Sequence, residues 1–461
     1  MSRTRAPHSQ SALRLAALTL ALAGWRTTVS HAQSPQRAPV LPAATPVAAS
    51  NIALLPSELT LADLYSRVER RSPRYAAARS LADAARARVA GARRPPDPQL
   101  QFGLMNYRLP DLAPMEVLGM KQLQLMQMVP VAGKLRLSGR VADALATSAG
   151  ARAQEVRWEQ RSRVAMAFYD LYQADRAVGI AFETRRLVQD IATTAQTMYA
   201  VGDGRQADVL RARVEVARMN EDILRMETMR RAMASRLSGL LDEPLDTTHV
   251  TPSLPKLPEE LPSLDALVSE AESNRPMVRA GEADLLAANT AERLARREIW
   301  PDLQVGVQYG QQRGAMGTER MGSLMLGASL PVFARSRQLQ MRVEAGAMRA
   351  MARADLAAMR ADTRARVAEL YADFVRGRNL RALYRTTVLP QAEAAVTSSL
   401  ASYRVGAVNL MTLLENQMTV NRYRQELFAL EAEQGKAIAE LEMLIGRELF
   451  DANSRVARGD E

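Results

Sequence analysis

Cysteine is absent from the 461 residues of the sequence, and histidine occurs only three times. The absence of cysteine excludes disulfide frameworks, cysteine zinc sites, thiol catalysis and lipidation of an N-terminal cysteine. His8 and His31 lie in a leader that we expect to be removed, so His249 remains as the only imidazole. A histidine-based catalytic group is therefore not expected.

Catalytic motifs are missing as well. No nucleophile, base and orienting group recur at a recognisable spacing, and no glycine-rich phosphate loop opens a helix after a strand. The sequence predicts a protein that is not an enzyme, has no cofactor and has no metal site among its catalytic or binding residues.

Aromatic residues are scarce at 5%, although the formal net charge is +11. Five arginines fall within the first fifty residues, where no acid occurs. Elsewhere, as along residues 211–236, arginines alternate with acids and few aromatics stand between them. This pattern is typical of solvated helix faces, and it does not indicate a nucleic-acid surface.

The first 32 residues have the pattern of a secretory signal peptide. Arg3 and Arg5 precede an apolar run over residues 13–24, and Ala32 closes a cleavage site of small residues. Residues 33–57 are rich in Ala, Pro, Ser and Thr, which predicts a flexible lead-in. No later apolar run is long enough to cross a bilayer as a helix. We expect an exported protein without an anchor helix.

The rest of the chain consists of two similar halves. Residues 58–246 and 261–450 match at an offset that drifts only between 201 and 204 positions, with a Pro-rich connector at 247–260 and a tail at 451–461. Matched pairs include Pro130 with Pro331, Tyr199 with Tyr403, Gly202 with Gly406, and Leu240 with Leu444. A constant offset over this length predicts an internal two-fold repeat.

Each repeat is predicted to contain a helix, two strands, a very long helix and a return helix. In the first repeat these elements are expected at residues 61–92, 99–109, 118–129, up to 199, and 207–241. In the second they are expected at 264–298, 302–312, 321–330, up to 403, and 409–446. Pro130 and Pro331 mark the switches from strand to long helix, because the hydrophobic period changes there from two to that of a helix. We expect the long helices to form a coiled-coil wall.

The four strands each have close to ten residues and alternate apolar groups with Gln, Ser or Gly, which suits tilted membrane-spanning β-strands. A pair of soluble hairpins is the alternative. Four strands are too few to close into a barrel. An open sheet in lipid would leave the backbone groups of its edges unpaired, and each unpaired group there costs several kcal/mol. The interior of an eight-stranded barrel from two chains would be filled by its own side chains, whereas a twelve-stranded barrel from three chains leaves an open lumen. The prediction is an α+β membrane protein: a homotrimer with a 12-stranded β-barrel that continues into a helical barrel, with Gln101, Gln304 and Gln308 facing the lumen.

The repeated plan and the turns Tyr199-Ala-Val-Gly202 and Tyr403-Arg-Val-Gly406 resemble the TolC-type outer-membrane efflux channel family. The resemblance implies a trimeric exit duct in the outer membrane of a Gram-negative bacterium, with a periplasmic helical extension. It also implies a periplasmic adaptor protein and an inner-membrane transporter of the RND type as partners. By the same resemblance, the tip residues that contact the adaptor are Val201, Gly202, Val405, Gly406 and Asp208.

The expected cargo follows from a narrower resemblance. The segment from Met120 to Lys134 is similar to the heavy-metal branch of the family, which implies efflux of copper, silver or divalent cations. Methionine thioethers suit Cu(I), although methionine also fills apolar gaps or meets lipid. The hairpins contain Met105, Met115, Met120, Met126, Met128, Met316, Met321 and Met325. The alternatives are a duct for drug efflux or type I protein secretion, and a soluble periplasmic coiled-coil scaffold.

Overall fold

The computed structural model describes residues 58–108, 113–114, 119–245, 251–314 and 317–450. The expected signal peptide, lead-in and tail, together with His249, Met115 and Met316, lie outside these residues. Along the described part of the chain, no helix combines the length and the apolar content needed to cross a membrane.

The first half begins with strand β1 (Glu58–Leu59), followed by helices α1 (Leu61–Arg71) and α2 (Pro73–Ala92). Strands β2 (Gln99–Met105), β3 (Tyr107–Arg108), β4 (Ala113–Pro114) and β5 (Met120–Val129) come next. The half ends with α3 (Lys134–Ala200) and α4 (Gln206–Leu241). At 1.5 Å per residue, the 67 residues of α3 extend about 100 Å.

The second half begins with β6 (Thr251–Pro252), α5 (Leu264–Asn274) and α6 (Pro276–Arg297). Strands β7 (Leu303–Gly314) and β8 (Gly317–Ala328) follow, and then α7 (Gln338–Leu383), a π-helical turn (Tyr384–Val388), α8 (Leu389–Arg404) and α9 (Leu410–Ile445). β6 pairs in parallel with β1, and so ties the connector to the start of the first half.

Each half contains two helices where the sequence analysis expected one at 61–92 and at 264–298. The breaks fall before Pro73 and Pro276, which are the first residues of α2 and α6. A proline has no N–H to donate and disfavours helical backbone in the residue before it, so the earlier helix ends there. Ser72 caps the new helix by accepting a hydrogen bond from Tyr75 N. The prediction of continuous helices was wrong at these points.

The long helix of the second half is interrupted as well, whereas α3 is not. The π-helical turn Tyr384–Val388 directly precedes the Leu389-Pro390 pair. The ring of Pro390 displaces the carbonyl four residues earlier, and the wider turn accommodates the displacement. The prediction of an unbroken helix up to Tyr403 was therefore wrong at this turn.

Strands from both halves form one antiparallel sheet, in the order β2-β5-β7-β8. Three groups of buried apolar residues hold the helices together. The largest lies where α1, α3, α4 and α9 meet, around Phe168, Tyr169 and Leu237. The second joins α5, α7 and α9 around Leu267 and Leu441, and the third joins the ends of α3, α4, α8 and α9 around Tyr403.

Candidate functional site

The four-stranded sheet has two faces of opposite character. One, which we call the glutamine face, carries alternate residues of every strand; its polar members include Gln99, Gln101, Gln122, Gln124, Gln304, Gln308, Gln312 and Ser323. The other, which we call the apolar face, carries Leu100, Phe102, Leu123, Leu125, Val129, Leu303, Val305, Val307, Tyr309, Leu324 and Leu326. The separation follows from the two-residue period of a strand and from a register that keeps like residues opposite each other.

Polar side chains cross the sheet in a continuous row. Gln101 lies opposite Gln124, Gln124 opposite Gln308, and Gln308 opposite Ser323. The Nε2 atom of Gln308 also donates a hydrogen bond of 2.8 Å to Oε1 of Gln122. The candidates Gln101, Gln304 and Gln308 therefore share one face. Sequence reasoning did not select Gln122 and Gln124, although their alternation with Leu123 and Leu125 carries the same signal.

The apolar face is uncovered by the described residues. The side chains of Phe102 and Leu326 remain 68% and 76% exposed. The face ends on a polar row, in which Lys121 lies opposite Gln311, and Gln311 opposite Arg320. A contiguous exposed apolar patch of this size marks contact with a membrane or with another protein. The polar row at its end is the pattern expected where a membrane-facing strand leaves the hydrocarbon.

Both edges of the sheet are open in the described residues, where β2 pairs only with β5 and β8 pairs only with β7. An edge strand presents unpaired N–H and C=O groups, and these bind another strand readily. The sheet is therefore incomplete in a single chain.

The switch from strand to helix at Pro130 is fixed by a buried lysine. Ala132 and Gly133, two and three residues after the proline, take the left-handed conformation, which turns the chain sharply into α3. Lys134, the first residue of α3, extends Nζ to Asp302 Oδ1 at 2.9 Å and to the carbonyl oxygen of Trp300 at 2.9 Å. Its side chain is 7% exposed, and Glu298 lies 3.4 Å away. These contacts join the end of β5 to the start of β7.

The corresponding switch at Pro331 lies between β8 and α7 and is more open. Leu330, Val332 and Phe333 next to it are each at least 74% exposed. Arg335, four residues after Pro331 as Lys134 is after Pro130, is exposed too.

Two helical hairpins end in glycine turns at the opposite end of α3. Gly202 has φ of 86° and Gly406 has φ of 71°, a conformation that side chains with a Cβ disfavour. The amide of Gly406 donates to Tyr403 O, and that of Gly202 to Tyr199 O. Val201 and Val405, beside these glycines, are 67% and 78% exposed. The two predicted Val-Gly turns thus present one exposed valine each.

Asp208 lies in the first turn of α4, next to the first hairpin turn. An acid there interacts favourably with the helix dipole. Burial raises the pKa of the Tyr403 hydroxyl, and the nearby Asp208 carboxylate raises it further. In the second hairpin, Thr412 stands at the matching position, and Asn409 caps α9 instead by accepting from Thr412 N at 2.9 Å. The side chains of the two tips are therefore brought close together, but they are not equivalent.

The helical part also buries a carboxyl group. Glu442 on α9 is 3% exposed, and its Oε1 accepts a hydrogen bond of 2.7 Å from Leu449 N. Burial raises the pKa of Glu442 to about 7, because the charged form loses its hydration. Nearby, Arg161 donates to Glu69 and Glu448 and stacks over the ring of Tyr65. This cluster joins α1, α3 and the segment after α9.

Within the described ranges, no group of three or more His, Cys, Asp or Glu side chains could hold a metal ion. The sequence left open whether the methionines of the hairpins bind a soft metal ion, fill apolar gaps or meet lipid. All six described ones lie on the glutamine face, namely Met105, Met120, Met126, Met128, Met321 and Met325.

Comparisons with known proteins agree with this architecture. Residues 267–447 match the family model described as outer membrane efflux protein. The cobalt-zinc-cadmium resistance protein CzcC of Cupriavidus metallidurans is 22% identical over 297 residues, which cover 63% of this chain and 69% of that protein. These matches confirm the resemblance to the outer-membrane efflux channel family, whose members are transport ducts and not enzymes.

Solved structures show the same fold. The outer-membrane channel OprN superimposes with a TM-score of 0.73 at 19% identity, covering 84% of this chain and 89% of OprN. CusC, studied for its folding and transmembrane channel formation, gives a TM-score of 0.71 at 17% identity, covering 84% of this chain and 92% of CusC. The fold of this chain is helix-rich and contains a four-stranded sheet built from strands of both halves. It is therefore the fold of outer-membrane channels.

Proposed function

We propose that this chain, a relative of the outer-membrane efflux channels, forms the trimeric exit duct of a tripartite efflux pump. The observation that carries the proposal is the two-faced sheet with open edges: its apolar face is uncovered, and its opposite face carries a continuous row of polar side chains. Only closure in a membrane makes both features favourable at once.

Closure requires other copies of the chain. Four strands with two open edges leave backbone groups unpaired, which costs several kcal/mol per group in lipid. Three copies supply twelve strands, enough for a barrel with an aqueous lumen. In that barrel the apolar face contacts lipid, and Gln101, Gln124 and Gln308 line the lumen. The β8 strand of each subunit pairs with β2 of the next, because these are the open edges.

The long helices continue the duct into the periplasm. A helix of about 100 Å such as α3 cannot be buried within one small globule, so it packs beside its neighbours as a wall. The hairpin turns then lie at the periplasmic tip. There Val201, Gly202, Val405, Gly406 and Asp208 offer the exposed apolar and acidic groups that an adaptor protein contacts, and the adaptor links the duct to an inner-membrane transporter of the RND type.

A heavy metal is the proposed cargo. The support comes from the similarity to CzcC, which is named for resistance to cobalt, zinc and cadmium, and from the methionines of the hairpins. A duct for drugs or for a secreted protein has the same architecture, so cargo must be tested separately. A soluble scaffold is disfavoured, because it would leave the apolar face in water.

The mature chain should require detergent for extraction, have the mass of a trimer and conduct ions in a planar bilayer. A monodisperse monomer in plain buffer with an intact sheet would overturn the proposal. The cargo is tested in a deletion strain: loss of metal tolerance with drug tolerance unchanged supports metal efflux, and the reverse result supports drug efflux.

A further inference from the structure

Four of the six described methionines of the sheet form two groups around glycines of β7. Met126 on β5 and Met325 on β8 are the cross-strand neighbours of Gly306 on either side. Toward the loop end of the strands, Met321 on β8 lies opposite Gly310, and Met120 on β5 extends over the same glycine. Each group spans adjacent strands, and each is built over a residue without a side chain.

The glycines bring the methionines together. A Cβ placed at Gly306 would lie 3.2 Å from Cγ of Met126 and 3.7 Å from Cε of Met325, so both side chains reach into the same space. A Cβ at Gly310 would lie 3.2 Å from Sδ of Met120. Any larger residue at either position would hold the methionines apart. The thioethers are therefore arranged around shared spaces and are not scattered over the sheet.

Their position on the glutamine face separates two explanations. Methionine that served lipid contact would lie on the apolar face, yet the described part of that face contains none. Among the described residues, no apolar layer covers the glutamine face, and Met105 and Met321 are 47% and 42% exposed. Gap filling alone does not account for exposed thioethers beside glutamines.

Thioether sulfur is a neutral, soft ligand that prefers Cu(I) and the chemically similar Ag(I). Divalent zinc and cobalt prefer imidazole, carboxylate and thiolate ligands, and no suitable group of His, Cys, Asp or Glu occurs in the described residues. Two thioethers without a charged ligand bind without neutralising the ion. Weak binding of this kind suits a conduit, from which an ion must also leave.

We propose that the glutamine face binds soft monovalent cations through two methionine sites, Met126 with Met325 over Gly306, and Met120 with Met321 over Gly310. The inference rests on the proposed function, since it places these sites in the lumen. It narrows the ions that these sites bind: thioether ligands suit Cu(I) and Ag(I), and they do not suit Zn(II) or Co(II).

The experiment titrates silver nitrate into the purified, detergent-solubilised trimer in chloride-free buffer and follows the heat of binding. Two variants remove the sites: Met126→Leu with Met325→Leu, and Met120→Leu with Met321→Leu. Leucine has nearly the volume of methionine, so the fold should persist. The control is Met348→Leu with Met351→Leu, at exposed positions of α7 outside the sheet.

Wild type and control are expected to bind Ag(I) equally, and each site variant to lose one class of sites, with binding about tenfold weaker when both sets are combined. Zinc nitrate should produce no saturable heat in any variant. Ag(I) binding unchanged in the combined variant, or absent from wild type, would overturn the inference.

The same preparations are tested for conductance in a planar bilayer. A trimer that conducts ions but does not bind Ag(I) would contradict the proposed methionine sites and would still support the proposed channel. A chain that neither assembles into a trimer nor conducts ions would contradict the proposed function itself. Failure of the methionine sites and failure of the proposed function are therefore distinguishable.

Discussion

At the scale of single residues, the contact between α3 and α9 depends on one glycine. A Cβ at Gly435 would lie 2.2 Å from Cζ of Tyr169, whose ring is fully buried. No real Cβ contact is that short, so the helices or the ring must move. Sequence reasoning could not single out Gly435, because a glycine within a helical pattern does not indicate which side chain lies against it.

We expect Gly435→Ala to destabilise the helical part by about 1–3 kcal/mol, the usual cost of overpacking a core. The matched control is Gly239→Ala on α4, where nothing lies within 4 Å of the added methyl group. The control should be neutral or stabilise by about 0.5–1 kcal/mol, because alanine is the better helix former. The measurement is thermal unfolding followed by helical circular dichroism. Equal midpoints for the two variants would mean that the α3–α9 contact is not close.

Glu442 makes stability depend on pH. Its folded pKa is about 7, and its ordinary value is 4.5. As pH rises through this window, the unfolded chain releases the proton first, so the free energy of unfolding falls. Above pH 7 the loss is on the order of 3 kcal/mol. The titratable groups facing Glu442 are Tyr65, Arg161, Tyr169 and Glu448. The backbone amide of Leu449, the charge of Arg161 and the backbone amide of Phe450 oppose the rise in the pKa, and Glu448 adds to it.

Glu442→Gln should therefore stabilise the protein at pH 8 and leave it nearly unchanged at pH 4.5, because glutamine resembles the protonated acid. The comparison is Glu440→Gln, two residues away. Glu440 accepts hydrogen bonds of 2.7 and 2.8 Å from Arg366, so its loss should destabilise at pH 8. Unfolding midpoints measured from pH 4.5 to 8 test both. A wild-type slope retained in Glu442→Gln would show that another group titrates in this window.

At the scale of elements, periodicity located the helices and strands well but missed their interruptions. The helix breaks at Pro73 and Pro276 and the π-helical turn before Pro390 arise from single prolines. Apolar residues continue in helical spacing across all three positions, so the pattern alone did not show them. Proline chemistry contained the signal, and a closer reading of it would have placed the first two breaks.

The pairing between strands was harder to predict from the sequence than the strands themselves. Alternation placed Gln101, Gln304 and Gln308 on polar faces of their strands, yet it could not show that β5 pairs with β7. That pairing joins residues 174 to 192 positions apart, and Lys134 and Asp302 are 168 positions apart. Local sequence holds no information about such partners. The two faces of the assembled sheet therefore became visible only in the structure.

The hairpin turns provide a prediction at this scale. Val201→Asp and Val405→Asp place a charge on exposed tip residues without changing the glycine turns. Under the proposed function, each should weaken crosslinking to the periplasmic adaptor protein and reduce efflux, while the trimer still assembles. Val214→Asp on α4 is the control, since Val214 is 66% exposed but lies away from the turn. Equal crosslinking in all three variants would place adaptor contact elsewhere.

At the scale of the whole molecule, the two strand-to-helix switches explain how subunits fit together. Within one chain, the end of β5 lies beside the start of β7, and Lys134 joins them through Asp302. In a closed barrel, the end of β8 lies in the same way beside the start of β2 of the next subunit. At this boundary between subunits, Arg335 then occupies the position that Lys134 occupies between β5 and β7 within one chain. The segment between α2 and β2 contains one acid, Asp97, among three prolines.

The internal switch thus predicts an ion pair between subunits, Arg335 of one with Asp97 of the next. Both residues are exposed in the single chain. Arg335→Glu and Asp97→Arg should each lower the temperature at which the detergent-solubilised trimer dissociates, because each places like charges opposite each other. The double variant restores the attraction with its sign exchanged, so it should recover most of the loss. A coupling energy of about 0.5–3 kcal/mol is expected for residues in contact.

Arg218→Glu on α4 serves as the control, because its side chain is 69% exposed and its only described partner is Glu215 on the same helix. It should leave trimer dissociation unchanged, which separates a specific contact from the general effect of net charge. Dissociation is read from the mass of the species after graded heating. If the two reversals weaken the trimer additively and the double variant is the weakest, Arg335 and Asp97 do not meet. The β8 edge would then have to join β2 in a register different from the one that β5 and β7 adopt within the chain.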